Sequence, residues 1–347
     1  MIETASVLAG PAVGMHLAEL GARVIKIENA RSGGDVTRKW KLPSEDPSSP
    51  VSAYFSSVNW GKEHLPLDLK DQKDRSEFDA LLAKADVLIT NHLPSQAEEL
   101  GLDRDRLRKL NPKLIHGHIK GFFDRPDRPA YDVVLQAETG FISMTGTDRD
   151  HPAKLPIALI DVLAAHQLKE GILLALLQRE RKGVGAYVEV SLEEAALAGL
   201  INQASNYLMA AHVAAPIGTL HPNIAPYGET FLCADGGRII LAVGSDAQFR
   251  SLCTELQVDV KDDDRFRSNT ARVRHRQELA ALLMQRIAAR ERNELLSALE
   301  KAGVPAGAVR SIDEVMASPA ARAMTIEDEI DGVPTKRIKG NAFSIGH

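Results

Sequence analysis

The chain carries 347 residues, 42 Lys and Arg against 47 Asp and Glu, a formal charge of −5 and 44% apolar content. That make-up is ordinary for a globular protein and lacks the basic surplus that phosphate neutralisation needs, so nucleic acid is excluded as a principal partner. No apolar run reaches membrane-spanning length, the opening Met1-Ile2-Glu3-Thr4 is no signal peptide, and two cysteines, Cys233 and Cys253, lie in apolar settings. The expectation is a cytoplasmic protein with buried thiols rather than a disulfide.

The segment Leu8–Glu28 reads as a tight turn, a helix and a strand. Gly10 permits close backbone approach, Pro11 suits a helix start, and Val13, Leu17 and Leu20 share one face. Gly21 ends the helix and Val24–Ile27 follows as a strand. Glu28 stands eighteen residues after Gly10, near the place of a ribose-binding acid, but the loop is not G-x-G-x-x-G and almost no chain precedes it, which argues against a dinucleotide site. Further on, Ser76–Lys84 and Arg104–Leu110 read as helices, and Asp86–Thr90 and Leu114–His118 as strands. His116 and His118 share a strand face, yet no carboxylate or Cys nearby completes a metal set, so no metal is expected.

In Leu155–Gly183 a lone carboxylate, Asp161, interrupts an apolar stretch where a helix should begin. Asp is a good N-cap, and Val162, Leu163, Leu168, Ile172, Ala175 and Leu176 then recur near helical spacing. A carboxylate beside the positive helix end, with apolar walls, is expected to stay ionised and is equipped to be a nucleophile; it equally suits a plain cap. His166 falls on another helical face and is a poor base for it. Leu192–Ala214 reads as helical and Ala215–Gly228 as a loop, in which His221 suits a structural hydrogen bond. Glu229–Leu232 and Arg238–Val243 form a hairpin across Ala234–Gly237. Helices over Asp246–Leu256, Arg274–Ala288 and Glu291–Lys301 follow, and Thr335–His347 is extended and polar. Alternating helix and short strand predicts an α/β fold, a Rossmann-like large domain with a parallel sheet, beside a smaller α+β domain. The expected boundaries are 1–195 with 315–347 returning to it, 215–305 for the small domain, and linkers at 196–214 and 306–314.

Several long blocks, in order, carry a specific resemblance. They include ASVLAGPAVGMHLAELGARVIKIENARSGGD, VNWGKEHLPLDLK, YDVVLQAETGFISMTG, PIALIDVLAAHQLKEGILLALLQRERKG and HPNIAPYGETFLCADGG. Together these resemble the class III CoA-transferase family, the group of formyl-CoA transferase, carnitine-CoA transferase and 2-methylacyl-CoA racemase, over nearly the whole chain. The resemblance implies that Asp161 is the catalytic aspartate. It implies a CoA site in which Val7, Leu8 and Ala9 approach the pantetheine arm, Leu67 and Lys70 hold the adenine and phosphates, and Asn91, His92 and Leu93 line the loop after a strand. Tyr131 belongs to the same site. A basic side chain common on the following helix is Glu99 here, so Arg31 or Arg38 is expected to substitute.

Family membership further implies a homodimer of interlocked rings, and acyl-CoA and carboxylic acid as substrates. Coenzyme A is then substrate and product, with no further cofactor. The reading is transfer of CoA to a carboxylate, with a small dicarboxylate as acceptor, through an aspartyl-CoA thioester. The alternatives are an acyl-CoA racemase or epimerase, and intramolecular transfer within mesaconyl-CoA. Resembling racemases carry a His where Tyr131 stands, and a phenol is a poor base in its place. Two departures stand out: members usually begin with a strand well before the Ala9-Gly10-Pro11 block and continue beyond the segment ending at His347. The first strand and the C-terminal wrap are therefore open, as are the donor acyl group, the acceptor acid and the oxyanion site.

Overall fold

The computed structural model describes residues 1–260 and 263–346, so His347, expected in the extended end, lies outside the described residues. By internal contacts the chain falls into two units. The larger holds Met1–Ile142, Lys154–Ala214 and Ala323–His347, and the smaller holds Ser143–Ala153 and Ala215–Arg322.

The larger unit is built on six parallel strands: β1 (Ile2–Glu3), β2 (Val24–Asn29), β3 (Lys62–Leu67), β4 (Val87–Thr90), β5 (Ile115–Lys120) and β6 (Ala186–Ser191). Their order is β3-β2-β1-β4-β5-β6, the doubly wound order in which ligands bind beyond the carboxyl ends at the reversal point. That point lies between β1 and β4. The first strand that the opening block left open is thus a two-residue strand in the middle of the sheet. Ile2 pairs with Ile25 on one side and Leu88 on the other. β3 and β6 escaped the sequence reading because Pro66 and the charges Lys62, Glu63 and Glu189 blur their alternation.

One apolar cluster of this unit joins Ile2, Ile27, Leu67, Phe78, Leu82, Leu88 and Leu107, all nearly inaccessible. The helix Leu159–Lys182 buries Ile160, Ala164, Ala165, Leu168, Ile172 and Ala175. Val162, expected on its apolar face, is exposed at 36%. A Cβ on Gly117 would come within 2.9 Å of Ile172, so that glycine lets the helix lie close on β5. Gly183 closes the helix in the left-handed region with φ 72°, as the C-terminal glycine rule requires. The first helix runs Ala9–Glu19, and Leu20 beyond it is exposed rather than buried.

The two units are bounded differently from the expected domains, and the stretch 196–214, expected as a linker, groups with the larger unit. Residues 143–153 group with the smaller unit, and the return to the larger begins at Ala323 rather than 315. The segment 306–314, read as a linker, contributes β9 (Ala306–Val309) to a sheet with β7 (Tyr227–Leu232) and β8 (Arg238–Ala242). Small side chains at Ala306, Gly307 and Ala308 fit an edge strand against Ile239–Leu241. The smaller unit's core gathers Phe231, Ile239, Leu241, Leu252, Leu283 and Leu299; Cys233 and Cys253 are buried and free. The helical stretch 192–214 is broken at Ile201, φ 44°, into Leu192–Gly199 and Asn202–Ala210. Thr335–His347 is expected to be extended; its start belongs to an antiparallel hairpin of β10 (Thr325–Ile330) and β11 (Val333–Ile338).

Candidate active site

The loops after β1 and β4 meet at the reversal point. Residues Ser6–Ala9, Asn91–Leu93, Tyr131 and Asp161 line one cleft of about 950 Å³ within the larger unit. Eight of the residues expected at the site are thereby brought together: Val7, Leu8, Ala9, Asn91, His92, Leu93, Tyr131 and Asp161. The other three, Arg31, Leu67 and Lys70, line a neighbouring cleft of about 460 Å³ that shares Ser6, His92 and Gln96 with the first.

Asp161 is 7% exposed and is the third residue of its helix, whose N-cap is Ala158. It therefore caps nothing. The cap comes from another segment: Asp132 Oδ2 accepts the Ile160 N–H at 2.7 Å and the Asp161 N–H at 3.4 Å. Asp132 opens its own helix, Asp132–Glu138, and its other oxygen is held by Gln136 Nε2. One side chain thus satisfies two free amides of the helix start and puts a second carboxylate beside Asp161. No ion pair or hydrogen bond reaches the Asp161 carboxylate among the described residues. Burial, and next the charge of Asp132, push the Asp161 carboxyl up to about 7. The expectation of a plainly ionised cap is corrected on both counts, because desolvation outweighs the helix dipole here. A carboxylate this basic is a stronger nucleophile when ionised than a solvated one.

Tyr54 was missed. It lies on the helix Ala53–Asn59, capped by Ser52, and its phenol is pushed up to about 12 by burial and then by Asp161, Asp132 and Asp35. It stays neutral at pH 7, within electrostatic reach of both carboxylates. A helix-capping serine before Ala53-Tyr54 gave a helix signal, but nothing local tied Tyr54 to residue 161.

The cations expected for phosphates are occupied. Lys70 pairs with Glu99, and Arg31 with Asp68. Arg38, the other substitute considered, is turned inward to Glu28 and Asp331. Glu28 is spent on Arg38 and on the Asp35 N–H, so no ribose-binding acid is presented there. His116 Nε2 and His118 Nδ1 share Thr90 Oγ1 at 2.9 and 2.8 Å, and His92 Nε2 meets Thr4 Oγ1 at 3.1 Å. Burial lowers all three imidazoles, His92 to about 4 and His116 to about 3, which keeps them neutral at pH 7. No group of three or more His, Cys, Asp or Glu among the described residues could hold a metal ion. His166 is 3.2 Å from Lys169 Nζ and packs against His16. No helix among the described residues is long and apolar enough to cross a membrane.

Residues 1–345 match CoA-transferase family III. A succinate–glutarate CoA-transferase of Agrobacterium fabrum is 38% identical over 338 residues, covering 95% of this chain and 84% of that protein. An acetyl-CoA:oxalate CoA-transferase of Acetobacter aceti is 33% identical, covering 100% of this chain and 89% of its own length. The crystal structure of a CAIB/BAIF family protein from Brucella suis superposes with a TM-score of 0.86 at 35% identity, covering 99% of this chain and 90% of that one.

Proposed function

The chain belongs to CoA-transferase family III, and from that premise we propose that it moves CoA from an acyl-CoA donor to a small dicarboxylate through an aspartyl-CoA thioester on Asp161. The observation that carries this is a buried carboxylate without a cationic partner among the described residues, on the wall of the cleft at the sheet's reversal point.

The ionised Asp161 attacks the donor thioester carbonyl, and the C–S bond breaks to give a mixed anhydride and CoA thiolate. The thiolate attacks the Asp161 acyl carbon, releasing the donor acid and leaving the aspartyl-CoA thioester. The acceptor carboxylate attacks that thioester, expels CoA thiolate again and forms a second anhydride. Thiolate attack on the acceptor's acyl carbon then yields the new acyl-CoA and restores Asp161. Each step conserves an activated acyl bond, so the reading requires no nucleotide hydrolysis, metal or cofactor besides CoA itself. Low accessibility at Asp161 shields the anhydride from water.

In this reading Val7, Leu8, Ala9, Asn91, His92, Leu93 and Tyr131 flank the pantetheine arm. Leu67, Lys70 and Arg31 face the nucleotide, Lys70 and Arg31 exchanging carboxylate partners for phosphates. The acceptor class follows the relatives, whose names specify glutarate and oxalate. The protein is read as a cytoplasmic homodimer of interlocked rings. Supporting this are its two free buried thiols and the exposed apolar side chains Ile201, Leu208, Met209 and Val213, which association would cover.

The test is an acyl-exchange assay with succinyl-CoA against glutarate, oxalate and mesaconate, with mesaconyl-CoA alone and a chiral 2-methylacyl-CoA in parallel. Transfer to a dicarboxylate that disappears in Asp161→Ala supports the reading. Epimerisation without transfer, or transfer that survives Asp161→Ala, contradicts it.

A further inference from the structure

Val7 has φ 73°, a left-handed conformation that is strained for a β-branched side chain. Such outliers persist only where their surroundings over-determine them. Here three consecutive residues are gripped from three parts of the chain. Lys26 Nζ, on β2, donates to the Ala5 carbonyl at 2.8 Å. Asn91, after β4, accepts the Ser6 N–H at 3.1 Å and donates to the Ser6 carbonyl at 2.9 Å. Asp35 accepts the Val7 N–H at 3.2 Å.

Asp35 is itself fixed. It is 5% exposed, pairs with Lys26 at 3.1 Å, and accepts the N–H and the hydroxyl of Thr37 at 3.0 and 2.8 Å. Lys26 in turn meets the wholly buried Glu3 at 3.0 Å. The turn has no room to slide toward the helix that follows, because a Cβ on Gly10 would stand 2.3 Å from Ala5 Cβ. The same turn, Ser6–Ala9, shares the cleft with Asp161.

We propose that Asp35 is a positioning residue which, through the Val7 N–H, holds the Ser6–Ala9 turn in a strained shape complementary to the acyl-CoA. This rests on reading the Asp161 cleft as the acyl-CoA site. Asp35 does not touch substrate; it acts by denying Val7 its preferred negative φ. Asn at this position keeps an oxygen that accepts the Val7 N–H, whereas Ala does not.

The experiment is steady-state kinetics on the full-length enzyme with succinyl-CoA and glutarate, for Asp35→Ala, Asp35→Asn, Val7→Gly and the Asp35→Ala/Val7→Gly pair. Asp35→Ala should raise the KM for succinyl-CoA about tenfold, the order of the strain released, with a smaller change in kcat. Asp35→Asn should return KM to within about twofold of wild type. Glycine adopts φ 73° without strain, so Asp35→Ala should cost far less in the Val7→Gly background. Val7→Gly alone should melt higher than wild type, a readout independent of whether Asp35→Ala folds. Equal KM for the Ala and Asn variants, an equal Asp35→Ala effect in both backgrounds, or a Val7→Gly enzyme that melts no higher would each overturn the proposal. A hydroxamate formed at Asp161 from succinyl-CoA and hydroxylamine in the wild type separates the two readings: its absence condemns the aspartyl-CoA reading, and its presence leaves the kinetic outcomes to judge Asp35.

Discussion

Replacing Asp161 by Asn should stabilise the fold while abolishing transfer. The carboxyl moves from an ordinary 3.8 to about 7 in the folded protein, so the folded state holds the proton more tightly than the unfolded chain. Stability therefore falls as pH rises. The loss begins near pH 4, where the unfolded carboxyl ionises, and is complete above about pH 7. At 1.36 kcal/mol per pH unit the full cost is on the order of 4 kcal/mol. Asn is nearly isosteric and uncharged, so it escapes this cost, giving back about 0.3–1 kcal/mol of favourable helix-dipole interaction. About 3 kcal/mol should remain at pH 8, a rise of several degrees in Tm for a domain of this size. Parallel melts of wild type and Asp161→Asn at pH 8 and pH 5 check the argument, the difference at pH 5 being about half that at pH 8. An Asn variant that melts at or below wild type at pH 8, or a difference independent of pH, would refute the buried-charge reasoning.

Transfer itself should weaken below about pH 7, by about tenfold per pH unit, because only the ionised Asp161 attacks. In Asp132→Asn the amide oxygen still accepts the Ile160 N–H but the neighbouring charge is gone, so the acid limb of kcat/KM should move to lower pH; an unmoved limb would mean that burial alone sets it. Asp132→Ala should in addition cost about 1 kcal/mol of stability through the lost cap, read by urea melts. Glu99→Gln releases Lys70 and should lower the KM for acyl-CoA a few-fold with a steeper salt dependence; a KM unchanged at low salt removes Lys70 from the phosphate site. Sedimentation at low micromolar concentration should show a dimer, and a stable folded monomer would contradict the interlocked assembly.

Much of this was legible in the chain, and the exceptions share causes. Val87–Thr90 read as a strand because a buried parallel strand runs nearly continuously apolar, while Val24–Asn29 and Ile115–Lys120 showed only short β-branched stretches between polar residues. Lys62–Leu67 did not, since its Lys62 is recruited to a buried ion pair with Glu3, a pairing fifty-nine residues apart in sequence. Asp161 was conspicuous as a lone acid at a helix start, but its character was misjudged. The cap lies twenty-eight residues before Ile160, on Asp132, and no local pattern announces which acid caps which helix. Tyr54 and Asp35 are tied to the cleft only through tertiary neighbours, so they stayed silent. Arg31 and Lys70 were legible as cations, yet their pairing with Asp68 and Glu99 is visible only once the loops beyond β2, β3 and β4 are brought side by side.

The central claim is a covalent acyl bond to Asp161, and chemical trapping tests it directly. Enzyme mixed with succinyl-CoA and then treated with borohydride or hydroxylamine should be inactivated, and peptide mass spectrometry should find the reduced alcohol or the hydroxamate on Asp161. Omitting acyl-CoA should leave Asp161 unmodified and activity intact. Modification at another carboxylate such as Asp132 or Glu138, or full activity after treatment during turnover, would contradict the account.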